Sequence, residues 1–505
     1  MGNLETRPTG AGVGAAANEG LSGLRVIGVG LYNLWILVAF YNDYLYLMAS
    51  DLRGSMYACM VVSLLALLLT LALAPRIMPR PDKMVLSRRM VYASGVALAL
   101  STVALCLCDT ASALGRALIV AGGLGSGVSS GLLFLGWGRL FSDVGTRRAM
   151  LEVSLSWAFA ALLVLLLIYT ASVVSSAVCI LAALASAVML RQAALERPER
   201  PKPVREHSLH PRTRAMFIRG LVACAAMGLV QGFTDVIAGF KYFDVPALHP
   251  VFLMVSCAVI SLVLAAVVRF STRDFVCLAY RVVAMVLVLG CLLMSADAVP
   301  HTLGSAIIFG AYQGFFILLC AVCIDISNYF DVRATRAFGM AVAALYLGEL
   351  LGDVAAFSVT ALIRADDLSL SMVSIALTVL VVFAVLFLFT EKDLVETSLG
   401  EMLDEEEAEQ PPTSESAMGG AQAYEERIAR VTAYLGRRYQ LTPRECEVLP
   451  LVIKGRTIAR IQEELHISQG TVSTHTRHIY QKTQVVNRQG LLDLIDSLPD
   501  SAMEA

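Results

Sequence analysis

The chain predicts an all-α protein: a polytopic membrane bundle of twelve helices, six and six, followed by a small four-helix domain. Three observations carry this. The 505 residues are 57% hydrophobic and only 16% charged, with mean hydropathy +0.69, above the apolar share of ordinary soluble domains. Apolar runs of spanning length recur to about residue 390. The stretch from Leu441 onward then changes character, to short amphipathic segments with helix start and stop signals.

A hydrocarbon core about 30 Å thick takes about 20 apolar residues per helix. Runs of that kind lie at 26–46, 55–74, 90–108, 117–137, 149–169, 172–190, 217–239, 251–268, 281–297, 302–324, 337–360 and 370–390. The transmembrane domain therefore occupies 24–390, in halves 24–190 and 217–390. Between them lies a basic loop, 191–216, with Pro198, Pro201, Pro203 and Pro211. Residues 1–23 are polar and Gly/Ala-rich, which predicts a flexible N-terminus. They show no basic start, apolar stretch and cleavage site, so no cleaved signal peptide is expected.

Loop charge predicts the orientation. Loops leading from even to odd spans hold 21 Lys and Arg, including Arg76, Arg80, Arg139, Arg147, Arg269, Arg281 and Arg333. The alternate loops hold only Arg53, Arg116, Lys241 and Arg364. Positive loops stay inside, so both termini and the basic loop should be cytoplasmic, with the bundle in the inner membrane.

An internal echo points to duplication. Asp143-Val144 with Arg148-Ala149 follows the fourth span, and Asp331-Val332 with Arg336-Ala337 follows the tenth. The pairs Gly127/Gly131 and Gly310/Gly314 precede them, and their spacing reads as close helix packing.

Ionisable and polar groups inside spans are costly and usually face a cavity or one another. Here they are Asn33, Asn42, Asp43, Gln231, Asp235, Gln313, Glu349 and Asp353. Glu349 and Asp353 are four residues apart and share a helix face. With Trp35 and neighbouring tyrosines, Asp43, Gln231, Asp235, Gln313, Glu349 and Asp353 form the expected contacts of a small-molecule effector. Asp43 fits a central cavity and the outer aromatic belt equally well. Arg25, Glu152 and Asp325 near helix ends are expected to be solvated. Ten of eleven cysteines lie in or beside spans and read as small buried residues, Cys320 and Cys323 included. No metal site, cofactor or catalytic constellation is expected, so the chain reads as a non-enzyme.

Residues 391–420 hold ten Asp or Glu against one Lys and predict an acidic linker. An amphipathic helix follows at 421–440, with Tyr424, Ile428, Val431 and Leu435 on one side. It either packs on the terminal domain or pairs with a second copy. In 441–497, Thr442-Pro443-Arg444-Glu445 forms a capping box with Pro at the first helical position. A second helix carries Ile458, Ile461 and Leu465, and a third runs from Gln469 to about Thr483. A fourth spans about Arg488–Ser497. In the third helix Val472, Thr476 and Ile479 face inward. Ser473, Thr474 and Arg477 then lie outward near its N-terminal end, where a helix-turn-helix enters the major groove.

Two six-helix halves with a long middle loop and inward termini resemble the major facilitator fold over about three quarters of the chain. The loop PRIMPRPDKMVLSRR lacks that family's Gly-x-x-x-Asp-Arg-x-Gly-Arg-type sequence. The terminal domain resembles the LuxR-type helix-turn-helix. Matching residues are Leu441-Thr442, Arg444-Glu445, Glu447-Val448-Leu449, Ile461, Leu465, Ile467-Ser468, Thr471-Val472, His475, Val485 and Arg488. The pattern departs at Gln462, Ser473, Thr476 and Thr483. This resemblance implies that Ser473, Thr474 and Arg477 reach base edges. It also implies that Ser468, Thr471, His475, Lys482 and Arg488 hold phosphates or the local fold.

Together these readings predict a membrane-embedded one-component transcription regulator. It would sense a small molecule through its membrane helices and bind double-stranded DNA as a homodimer, with membrane lipid and RNA polymerase as further partners. The alternative is a major-facilitator-like transporter with a regulatory DNA-binding tail.

Overall fold

The computed structural model describes residues 21–41, 52–196, 211–240, 248–271, 275–295, 301–329, 332–364, 370–383, 418–454, 456, 458–467, 469–483, 485, 491, 494 and 495. Asn42, Asp43, most of the basic loop and most of the acidic linker lie outside them. So do Ser468 and Arg488, as well as the side chains of Ser473 and Arg477. The chain divides into two compact units, Met1–Ser398 and Leu399–Ala505.

The described part of the first unit is helical. Its N-terminal half contains α1 (Gly23–Tyr41), α2 (Leu52–Ile77), a short α3 (Pro81–Met84), α4 (Arg88–Cys106), α5 (Ala113–Phe141), α6 (Thr146–Leu167) and α7 (Ser172–Leu195). The second half contains α8 (Pro211–Phe240), α9 (His249–Phe270), α10 (Phe275–Ser295), α11 (His301–Tyr329), α12 (Ala334–Arg364) and α13 (Leu370–Phe383). Among the described residues eleven helices, α1, α2 and α4–α12, are long and apolar enough to cross a membrane. The helix α13 stands where the twelfth span was expected, with 14 described residues. Arg281, assigned to a loop from the sequence, instead lies inside α10, whose helix begins six residues earlier at Phe275.

Membrane helices carry no hydrophobic drive toward one another, so small residues and buried hydrogen bonds set their contacts. A Cβ on Gly127 of α5 would overlap the Ser63 carbonyl of α2, and one on Gly310 of α11 would overlap Ser256 of α9. These two glycines pack helices, as their spacing predicted. Indole groups lock the first half. Trp35 donates to Thr102 Oγ1 at 2.8 Å, and Trp137 donates to Ser186 Oγ at 3.2 Å. Ser186 in turn donates to the Gly28 carbonyl at 2.8 Å.

The halves meet mainly along α2 with α12 and α6 with α9, with α6–α11 and α5–α12 contacts beside them. Their contacts at one end of the bundle are polar. Thr335, at the start of α12, donates its backbone N–H (3.2 Å) and its hydroxyl (2.6 Å) to Asp82 Oδ1. Thr146 of α6 hydrogen-bonds Asp325 of α11. Arg147 donates to the carbonyls of Val268, at 3.0 Å, and Ser271. Asp325 is therefore buried and bonded rather than solvated.

Arg25 and Glu152 correct the same expectation. Glu152 is fully buried and accepts from Arg25 at 2.5 and 2.7 Å, from Arg148 at 3.1 Å and from the Ser22 N–H at 3.0 Å. Two guanidinium groups and one amide offset the cost of burying this carboxylate.

The second unit contains α14 (Met418–Arg438), α15 (Pro443–Ile453), α16 (Ile458–Leu465) and α17 (Gln469–Lys482). Leu491, Leu494 and Ile495 are helical too and pack on the same core. Ile428, Val431 and Leu435 of α14 bury against Val448, Leu449, Val452, Ile461, Val472 and Ile479. The amphipathic helix thus packs on the terminal domain. Gln440 and His466, ending α14 and α16, adopt left-handed φ of 52° and 51°. Each lets the next N–H bond back five residues, Leu441 to Gly436 and Ile467 to Gln462, which closes the helix end.

Candidate functional site

The recognition helix α17 carries two stripes at helical spacing. Val472 and Ile479 are buried, and Thr476 lies between them with its hydroxyl in the core and no hydrogen-bond partner. On another face Thr471, Thr474, His475 and His478 recur at i, i+3, i+4 and i+7. Thr474 is exposed and the other three are half-buried. Of the eight residues expected to touch DNA, the structure thus places the side chains of Thr471, Thr474 and His475 on one face of α17.

Lys482, the fourth expected contact with a described side chain, ends α17 in an ion pair. Its Nζ donates to Glu445 Oε2 at 2.6 Å and to the Gln440 carbonyl at 3.2 Å. Glu445 also completes the capping box: its carboxylate accepts from Thr442 N–H at 2.7 Å, while its own N–H donates to Thr442 Oγ1 at 3.3 Å. His478 Nδ1 lies 3.8 Å from Glu445 Oε1. Burial pushes the Glu445 carboxyl up, but the Lys482 ammonium and Thr442 N–H outweigh it and hold the group below its usual range. Of the two roles open to Lys482, this geometry serves the local fold. The contribution of Glu445 beyond its cap was not visible in the sequence, because Lys482 is 37 residues away.

The membrane unit brings a second constellation together. α8 and α12 cross through reciprocal small-residue pairs, Gly228/Gly232 and Gly348/Gly352. A Cβ on any of the four would overlap a carbonyl of the facing helix, at Leu345, Glu349, Ala225 and Leu229 respectively. This close approach stacks Gln231 and Asp235 of α8 against Glu349 and Asp353 of α12. Gln231 Nε2 donates to Asp235 Oδ1 at 2.8 Å, and Tyr41 of α1 donates to Oδ2 at 3.2 Å. Tyr312 of α11 donates to Glu349 Oε2 at 2.7 Å. Asp353 Oδ1 lies 2.8 Å from where a Gly232 Cβ would stand. Glu349 and Asp353 stand one helical turn apart on α12.

Four of the expected effector contacts, Gln231, Asp235, Glu349 and Asp353, thus form one cluster. Gln313 is buried on α11 but makes no hydrogen bond to it. Trp35 is buried and turned to Thr102 within the first half. Tyr312 was missed in the sequence, since an aromatic residue inside an apolar span carries no signal of its own. The glycine pairs at 228/232 and 348/352 were readable by spacing.

The helical membrane unit and the capped helix-turn-helix define a membrane protein with a DNA-reading domain. Residues 439–495 match the family "Bacterial regulatory proteins, luxR family", and this segment is a LuxR-type DNA-binding domain. The membrane unit has a major-facilitator-like fold. It is similar to the human organic anion transporter MFSD10 (TETRAN), with TM-score 0.53 and 14% identity over 73% of this chain and 98% of that one. It is also similar to a bacterial homologue of the iron transporter ferroportin in an outward-facing state. There the TM-score is 0.50, with 14% identity over 74% of this chain and 97% of the other. At that identity the likeness concerns the fold alone. No curated protein matches the sequence.

Proposed function

We propose that the chain is a one-component transcription regulator of the inner membrane. A small molecule binds among the membrane helices, and the LuxR-type domain carries the response to DNA. The carrying observation is the union of these two units on one chain, since nothing else in the described residues offers the DNA reader an input. A ligand shifts such a protein only through unequal affinity for its two states. The buried carboxylate cluster between α8 and α12, joined to α1 and α11 by tyrosine hydroxyls, supports the sensor role. Carboxylates at that depth are costly unless a partner or ligand relieves them. No turnover chemistry enters this reading.

The excess of Lys and Arg in the even-to-odd loops supports cytoplasmic termini, where a DNA reader must be. Dimeric binding to two half-sites would offset the weak positive charge of the reader, seven Lys/Arg against six Asp/Glu in 441–496. RNA polymerase is the proposed downstream partner.

Mapping DNA occupancy of the full-length protein in cells, with and without a small-molecule library, tests this reading. Ligand-dependent occupancy at defined sites is expected. Occupancy indifferent to every compound, together with substrate flux that persists after removal of residues 418–505, would favour a transporter with a DNA-binding tail. Cysteine labelling at Ser208 and Ala247 tests the orientation, and external labelling at Ser208→Cys in intact cells would refute it.

A further inference from the structure

We propose that the cluster at the α8–α12 crossing binds a hydrophobic organic ammonium ion. This rests on the sensor reading above and names the ligand class for it. The cluster has more acceptors than donors. Asp235 receives hydrogen bonds from Gln231 and Tyr41, and Glu349 receives one from Tyr312. Both carboxylate oxygens of Asp353 and the amide oxygen of Gln231 are buried with no hydrogen-bond partner. Asp353 and Gln231 are each only 1% exposed. Three orphaned acceptors in one place are expensive, and a buried unpaired charge is more so.

Charge decides between ligand classes. Among the described residues no Lys, Arg or His pairs with Asp235, Glu349 or Asp353. An anion would bring further acceptors to a site already short of donors. A neutral alcohol supplies a single O–H donor against several orphaned acceptors. An ammonium supplies up to three N–H donors and the opposing charge together, and charge-assisted bonds of this kind are the strong ones.

The neighbouring aromatic rings select the rest of the ligand. Tyr41 packs on Phe309 with ring centroids 4.9 Å apart, and Tyr312 lies beside Glu349 on α11. Aromatic faces attract organic cations and accept an apolar body. Na⁺ would use the same oxygens but would leave the aromatic rings without an apolar body to pack on, so the titration includes it as a competitor.

The test uses the purified full-length protein in nanodiscs, titrated with phenylethylammonium, its neutral counterpart 2-phenylethanol, and Na⁺. Phenylethylammonium should bind saturably, and 2-phenylethanol about tenfold or more weakly. Asp353→Asn should weaken ammonium binding by a similar factor. Glu349→Gln serves if that variant does not fold. Asp325→Asn, a buried carboxylate outside the cluster, should bind as wild type. No ammonium binding, equal binding of 2-phenylethanol, preference for Na⁺, or full affinity in both cluster variants would overturn the assignment. DNA occupancy on duplexes selected from a random library separates the two claims. Ammonium binding that leaves occupancy unchanged supports the site and refutes the sensor. An uncharged inducer acting equally on wild type and Asp353→Asn refutes the site and keeps the sensor.

Discussion

Lys482 Nζ lies 2.6 Å from Glu445 Oε2, so the last residue of the recognition helix is fastened to the capping box that opens the domain. Glu445 is 2% exposed and Lys482 35%. One carboxylate thus satisfies an orphan N–H at the start of α15 and fixes the end of α17. The orientation of the DNA-reading helix depends on a residue that need not touch DNA.

Glu445→Gln should lower the thermal midpoint of the terminal unit at neutral pH. The carboxyl is held below its usual range, so its stabilisation is present above that range and is lost as pH falls through the lowered value. The gap between wild type and variant should therefore close on acidification. Melting curves from neutral to acid pH check this, and a gap that widened would refute the role.

Arg477→Ala should relax specificity at one base position and cost about 1–3 kcal/mol in operator affinity. Lys482→Ala should lower affinity for operator and random DNA together, and also lower the melting temperature. Binding titrations on both DNAs with parallel melts separate base reading from helix positioning.

Leu435→Ala should destabilise the terminal unit by about 2–5 kcal/mol, the range for emptying a buried leucine site. Leu435 is fully buried between α14 and the reader. A fragment starting at Leu441 should accordingly melt below one starting at Met418. Denaturant titration of the two fragments measures the difference.

Gly348→Leu should prevent a stable membrane unit, because its side chain would enter the backbone of α8 at Ala225. Gly145→Ala should be tolerated, as open space surrounds that position. Thermal stability in detergent, followed by size-exclusion chromatography, tells them apart.

Glu152→Gln should cost about 1–3 kcal/mol by leaving Arg25 and Arg148 without their shared counter-charge. The same detergent melts register it.

Local sequence determined the elements. Apolar runs of spanning length marked the membrane helices, because lipid forces every backbone polar group to bond within its own helix. The capping box, the helix-turn-helix spacing and the apolar stripe of α17 were equally legible, since caps and amphipathic faces act within a few residues. The rest depended on which helix meets which. Glu152 looked solvated beside a helix end, yet tertiary packing buries it between Arg25 and Arg148. Asp235, Glu349 and Asp353 stood out as costly groups expected to share one effector site. Only the glycine-lined crossing of α8 and α12 made them one cluster, and only the placement of α1 and α11 brought Tyr41 and Tyr312 to it. The tie between Lys482 and Glu445 has the same origin: a charge announces its type in sequence, but its partner is chosen by packing across many residues.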